Sequence, residues 1–140
     1  YYDVFKSINS KRYKSEVYLW KMAFTEAFGD WEAYLKAANT YFKSKAGKND
    51  VTTLMSASWS LYHLDSSYDD QVLAWTNRVM ESSTGNSAPY FLQAYLFMRQ
   101  QNYIKADEVM DRCMVFLTED SPEYKDASII NKLLETQLSR

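Results

Sequence analysis

The sequence predicts an all-α protein of about six or seven helices, with antiparallel helix pairs stacked as a solenoid and a capping helix at the end. Three observations support this fold class. Apolar residues recur at three- and four-residue spacing along most of the 140 residues, as they do on amphipathic helices. All three glycines fall at predicted helix ends, and both prolines fall in predicted first turns. No alternating run of apolar and polar residues is long enough to indicate a β-strand.

The first helix pair is expected over residues 11–46. An apolar stripe at helical spacing marks its first helix, and the stripe consists of Val17, Trp20, Phe24 and Phe28. Gly29 should end this helix, because glycine adopts the left-handed conformation at low cost. Asp30 is the predicted N-cap of the second helix, and Gly47 is its predicted end.

Two further helix pairs and a final helix follow. Their predicted ranges are 50–83, 87–118 and 121–138. Ser87 and Ser121 are predicted N-caps, and Pro89 and Pro122 lie in the first turns that follow them. A polar turn at 100–102 separates the two helices of the third pair. The final helix should cap the stack with one apolar side, which consists of Ile130, Leu133, Leu134 and Leu138.

The spacing of the pairs indicates an internal repeat. The predicted cap Ser87 follows Asp50 by 37 residues, and Ser121 follows Ser87 by 34. Such a period, with two helices in each unit, is typical of helical solenoids. The third pair resembles the tetratricopeptide repeat, and the positions that match it are Tyr90, Ala94, Phe97, Ala106 and Met110. This resemblance implies a right-handed superhelix.

Other positions depart from the tetratricopeptide pattern. In the third pair, Gln93 replaces the leucine and Thr118 stands where proline is expected. In the second pair, the bulky Trp59 falls at the small-residue position and Gln71 falls where alanine should be. A bundle of three helix pairs without a superhelix therefore remains an alternative.

A second set of motifs resembles the helical region that follows the thioredoxin domain in some extracytoplasmic bacterial thioredoxin-like proteins. The motifs are the run from Gly29 to Tyr41, the pair Trp59 and Tyr62, and the run from Asn102 to Ala106. The resemblance implies an accessory scaffolding or partner-binding role and a periplasmic or otherwise extracytoplasmic location. It implies no redox activity, because the chain has no Cys-x-x-Cys motif. Since the sequence starts at Tyr1 without a methionine, we expect one helical domain from a longer protein.

The sequence contains no motif that indicates catalysis, a metal site or a cofactor. His63 is the only histidine and Cys113 the only cysteine, so neither belongs to a cluster of metal ligands. We expect His63 at the surface or in a groove and Cys113 in the core. No glycine-rich phosphate loop and no nucleophile elbow occur. The net charge of −2 offers no basic patch for nucleic acid, and the apolar runs are too short to cross a membrane.

The expected function is the binding of a protein or peptide partner. In stacks of the tetratricopeptide type, the first helix of each pair lines a concave groove. The residues predicted to line it are Ser60, His63, Phe91, Tyr95, Met98 and Arg99. Tyrosine and arginine often anchor partners, whereas Phe91 and Met98 have the alternative of packing against the neighbouring pair. Two other functions stay open: a structural spacer or homodimerisation element, and a domain that binds a small molecule or glycan on its aromatic rings.

Overall fold

The computed structural model describes residues 14–139, with side chains described from Glu16 onward. This range holds seven α-helices, a short 3₁₀-helix and no β-strand, which confirms the all-α fold class. The α-helices are α1 (Lys14–Phe28), α2 (Trp31–Lys43), α3 (Val51–Leu64), α4 (Asp69–Ser82), α5 (Ala88–Arg99), α6 (Tyr103–Met114) and α7 (Pro122–Leu138). The predicted start of the first pair, at residue 11, lies outside the described residues. Between residues 14 and 139, no helix combines the length and apolar character needed to cross a membrane.

The chain divides into two compact units, residues 1–50 and residues 51–140. In the first unit, α1 packs against α2. Gly29 joins these helices with a φ of 71°, a left-handed conformation that strains other residues. The Asp30 carboxylate accepts a hydrogen bond from the Ala33 backbone N–H at 3.2 Å. The predicted helix end and N-cap are therefore both confirmed.

The buried face of α1 differs from the predicted stripe. Three of the four stripe residues are exposed, namely Trp20 (42%), Phe24 (47%) and Phe28 (71%). Val17 is buried as predicted, and Met22 and Thr25 face the core with it. Hydrophobic periodicity misses Thr25 because it is polar, yet its hydroxyl donates to the Lys21 carbonyl oxygen at 2.6 Å. A threonine whose hydroxyl is bonded within its own helix can be buried at little cost.

The end of the first unit is built around Gly47. Helix α2 ends at Lys43, earlier than predicted, and Gly47 lies in the turn that follows. A Cβ added to Gly47 would overlap the Tyr41 carbonyl oxygen, so this turn requires glycine for close backbone approach. The Tyr41 hydroxyl donates to the Asp50 carboxylate at 2.5 Å and thereby ties the end of the turn to α2.

In the second unit, consecutive helices from α3 to α7 pack on one another, and α3 also contacts α5. The helix pairs α3–α4 and α5–α6 are thus formed as predicted. Their core is aliphatic, and its fully buried members include Leu61, Val72, Val79, Leu92, Leu96, Met110 and Leu134. Cys113 lies in this core as predicted, and burial raises the pKa of its thiol to about 11. The thiol is therefore protonated at neutral pH and is not an activated nucleophile.

Helix α7 buries a narrower stripe than predicted. Ile130 and Leu134 face the core, but Leu133 and Leu138 are exposed. This helix is the last one described and packs mainly on α6. A single neighbour covers only one side of a helix, so the outer edge of the apolar stripe remains at the surface.

Side-chain caps fix two of the turns in the second unit. The Asn102 side chain accepts a hydrogen bond from the Lys105 backbone N–H at 3.3 Å, just after Gln101 with its φ of 60°. The Ser121 hydroxyl accepts from the Tyr124 N–H at 3.1 Å. The Ser121 cap and the polar turn at 100–102 are therefore confirmed.

The predicted N-cap at Ser87 is wrong. Its backbone is already in the helical region, and its side chain makes no capping hydrogen bond. The Asn86 side chain instead accepts from the Ala88 N–H at 3.1 Å. A serine side chain caps a helix when its own backbone is extended, as that of Ser121 is. Ser87 lacks this conformation, so the side chain of Asn86 provides the hydrogen-bond acceptor at the start of α5.

A buried amide links α4 to α5. Gln93, which departs from the tetratricopeptide pattern, is only 3% exposed. Its Nε2 donates to the Thr76 hydroxyl and to the Asn77 Oδ1, both at 2.8 Å. Because the amide is paired across the helix interface, burying a glutamine at the leucine position is tolerated.

Candidate partner-binding surface

Four aromatic side chains form a partly exposed cluster on α3 and α5, which we call the aromatic platform. Its members are Trp59, Tyr62 and His63 on α3 and Tyr95 on α5. Positions 59, 62 and 63 share one face of α3, because residues three and four apart are neighbours on a helix. His63 stacks on Trp59 at a centroid distance of 5.5 Å and an angle of 20°. The Trp59 and Tyr95 rings, from different helices, lie 6.1 Å apart.

Arg99 secures one end of the platform, in an arrangement we call the Arg99 clamp. Its guanidinium lies 4.0 Å above the centre of the Tyr62 ring and donates to the Tyr62 carbonyl oxygen at 2.6 Å. It also pairs with the Asp69 carboxylate at 2.5 Å. Gln100 donates to the other Asp69 oxygen at 2.9 Å. The clamp therefore ties the end of α3, the start of α4 and the end of α5 together.

The clamp gives the Arg99 charge a partner within the protein. The Asp69 side chain is only 8% exposed, whereas that of Arg99 is 31% exposed. A carboxylate this buried needs a paired cation, since an uncompensated charge is costly to bury. Arg99 thus has a structural role at the edge of the platform, and reversing its charge would place two acidic groups together.

The six predicted groove residues have different positions in the structure. Tyr95 and His63 are members of the platform, and Arg99 holds its edge. Ser60, Phe91 and Met98 are half-buried. Phe91 and Met98 share the helix face of Tyr95 by their spacing, so α5 extends the apolar surface beyond the platform. The groove itself remains a prediction.

Three residues outside the predicted groove set also shape this surface: Trp59, Tyr62 and Asp69. Trp59 breaks the tetratricopeptide register at a small-residue position, and in the structure it is half-buried. The spacing of Trp59, Tyr62 and His63 carried the signal for a shared face. No sequence signal paired Asp69 with Arg99, because the two positions are 30 residues apart.

Metal chemistry has no recognisable centre among the described residues. No group of three histidine, cysteine, aspartate or glutamate side chains between residues 16 and 139 is arranged to hold a metal ion. Four acidic residues do lie together on α6 and α7, namely Asp107, Glu108, Asp111 and Glu135. Burial and the negative neighbours raise the pKa of Asp107.

A shallow groove of about 560 Å³ lies in the first unit, between α1 and α2. Its floor includes Ala33 and Ala37, and its rim carries charges of both signs. The Lys21 ammonium at this rim lies 5.6 Å from the centre of the Tyr18 ring. The rim carboxylate of Asp30 is already used as the N-cap of α2. The groove offers less for specific recognition than the platform, where aromatic rings from two helices converge.

Comparisons of this chain with protein-family models, curated proteins and solved structures found no match.

Proposed function

We propose that this chain is a non-catalytic helical module that binds a protein or peptide partner through the aromatic platform. The observation that carries the proposal is the cluster of partly exposed rings on two adjacent helices. Tyrosine and tryptophan supply large contact areas with few rotatable bonds and are frequent anchors of protein interfaces. Their clustering at one surface favours recognition over simple packing, since isolated exposed apolar residues are common but grouped ones are less so.

The Arg99 clamp supports the same proposal by holding the platform in one arrangement before a partner arrives. A surface that is already ordered loses less conformational entropy on binding. Stacking of the helix pairs as a tetratricopeptide-like superhelix belongs to the proposal and is supported by the sequence resemblance. An accessory role beside an extracytoplasmic thioredoxin-like domain has the same support.

Partner capture by platform variants of the full chain tests the proposal. Tyr95→Ala combined with His63→Ala should lower the amount of captured partner at least about tenfold, as expected for an interface anchor. The matched control is Tyr124→Ala, which truncates a half-buried tyrosine on α7, away from the platform. Circular dichroism should show unchanged helicity in both variants. Equal capture by the platform variant and the control would contradict the proposal.

Homodimerisation is the second candidate function, and one observation favours it. Ile129 and Leu133 are exposed large aliphatic residues one turn apart on α7. Replacing both by serine should abolish any dimer seen in sedimentation velocity if α7 forms the interface. A dimer that survives these substitutions but is lost with Tyr95→Ala would place the interface at the platform instead.

A further inference from the structure

We infer that the partner contacts the aromatic platform with a basic peptide segment, whose arginine or lysine side chains stack on the partly exposed rings. This inference rests on the proposed binding function and adds the chemistry of the partner. It follows from the charges around the platform and from the way the platform already holds one guanidinium.

The charges around the platform favour a cationic partner. The charge of Arg99 is compensated by Asp69, so Arg99 does not provide a free cation for an acidic partner. Two exposed carboxylates follow the platform residues in sequence: Asp65, two residues after His63, and Asp70, next to Asp69. The Asp65 Oδ1 accepts from the Ser67 N–H at 2.8 Å, and this neutral donor leaves the negative charge of Asp65 uncompensated by that bond. Residues 51–140 contain twelve acidic and seven basic side chains. Such an excess attracts basic segments and repels acidic ones.

The Arg99 clamp provides an internal example of the proposed contact. A guanidinium already lies over a platform ring, with its centre 4.0 Å from that of Tyr62, while a carboxylate holds its charge. The faces of tryptophan and tyrosine attract cations in this geometry, and arginine is the more frequent partner. Within the platform, Trp59 and Tyr95 are the other half-buried tryptophan and tyrosine rings. A partner arginine over either ring, with Asp65 or Asp70 nearby, would repeat the arrangement.

A titration with short peptides tests the charge requirement. The probes are acetyl-Gly-Arg-Gly-Arg-Gly-amide and the matched peptide in which neutral citrulline replaces each arginine. The readout on the full chain is the indole N–H resonance of Trp59, assigned with Trp59→Phe. We expect the arginine peptide to shift this resonance with a Kd at least about fivefold lower than the citrulline peptide, because only arginine carries the positive charge. The shift should weaken as salt rises, since these charges are exposed. Equal affinities of the two peptides, or no shift with either, would overturn the inference.

Charge-neutralising variants test whether the carboxylates of Asp65 and Asp70 attract the arginine peptide. Asp65→Asn with Asp70→Asn should raise the Kd of the arginine peptide severalfold and leave the citrulline peptide unaffected. The control is Glu119→Gln with Asp120→Asn, which removes two exposed carboxylates from the turn before α7. An equal loss in the control would mean that net charge alone attracts the peptide, and the specific inference would fail. If neither peptide binds but partner capture still depends on Tyr95 and His63, the binding function stands and only the partner chemistry is refuted.

Discussion

Tyr41 shows how a single side chain joins local structure to stability. Its ring is buried within the first unit, and its hydroxyl donates to the Asp50 carboxylate. Burial, together with the hydrogen bond to Asp50 and its negative charge, raises the pKa of Tyr41 to about 12. These causes disfavour the phenolate, because it is poorly solvated inside the protein, is repelled by the carboxylate and has no proton to donate to it. The folded state therefore keeps the Tyr41 proton at pH values where an unfolded chain would release it.

This raised pKa predicts a loss of stability in alkaline solution. Below pH 10 tyrosine is protonated in both states, so the contribution of Tyr41 is fully present. As the pH rises from 10 to 12, ionisation of the unfolded state alone removes up to about 2 kcal/mol of folding free energy. Denaturant unfolding of the first unit at several pH values should show this decline in the parent chain and little of it in Tyr41→Phe.

Asp50→Asn is the control for this prediction. It removes the carboxylate but keeps the burial that is the largest cause of the shift, so part of the decline should remain. Parallel stability curves for the parent chain and Tyr41→Phe would show that Tyr41 does not carry the effect.

At the scale of the helices, the caps decide where α6 and α7 begin. Asn102 and Ser121 satisfy backbone N–H groups at these starts, whereas Ser87 makes no such bond at the start of α5. Asn102→Ala and Ser121→Ala should each lower the free energy of unfolding by about 1 kcal/mol, the usual value of a lost N-cap. Ser87→Ala is the matched control and should have little effect. Chemical denaturation measures all three, and a loss at Ser87 equal to that at Asn102 would contradict the structural assignment.

The periodicity of apolar residues and the positions of glycine, proline and capping residues were enough to predict the helices. They were less reliable for predicting which face of each helix is buried. Gly29, Asp30 and Ser121 act locally, through backbone conformation or a hydrogen bond three residues away, and such effects are visible in sequence. The buried side of α1 depends on which neighbour covers it, and Thr25 enters that core because its hydroxyl bonds its own helix. The same limit applies to α7, where Leu133 and Leu138 are exposed although they belong to the predicted apolar side.

The candidate site was predictable only where it depends on local spacing along one helix, and not where it depends on contacts between helices. Tyr95 and His63 were selected from their helix register, which depends only on local spacing. The structural role of Arg99 depends on Asp69, from a different helix pair, and no local pattern predicts such a long-range pair. Trp59 departs from the repeat pattern, and its contact with the Tyr95 ring on another helix is a further pairing that no local pattern predicts.

At the scale of the whole molecule, the chain is divided between α2 and α3. The described helices α3 to α7 pack consecutively on one another around an aliphatic core within the second unit. A chain of about 90 residues with such a core is long enough to fold alone.

Residues 51–140 expressed alone should therefore keep their helical circular dichroism and unfold cooperatively. They should also retain the dispersed methyl resonances of a packed core. The matched control is the fragment 1–50, which contains a single described helix pair and should be far less stable, because a chain of this size buries little apolar surface. A fragment 51–140 without cooperative unfolding would show that its core depends on the first unit.

The Arg99 clamp also constrains how this sequence can change during evolution. Loss of Arg99 alone would leave the buried carboxylate of Asp69 uncompensated, and loss of Asp69 alone would leave a cation over Tyr62 without its counter-ion. Substitutions at these two positions, 30 residues apart, are therefore not independent. Descendant sequences should either keep both Asp69 and Arg99 or replace both, and a pair of apolar residues is the replacement that leaves no buried charge.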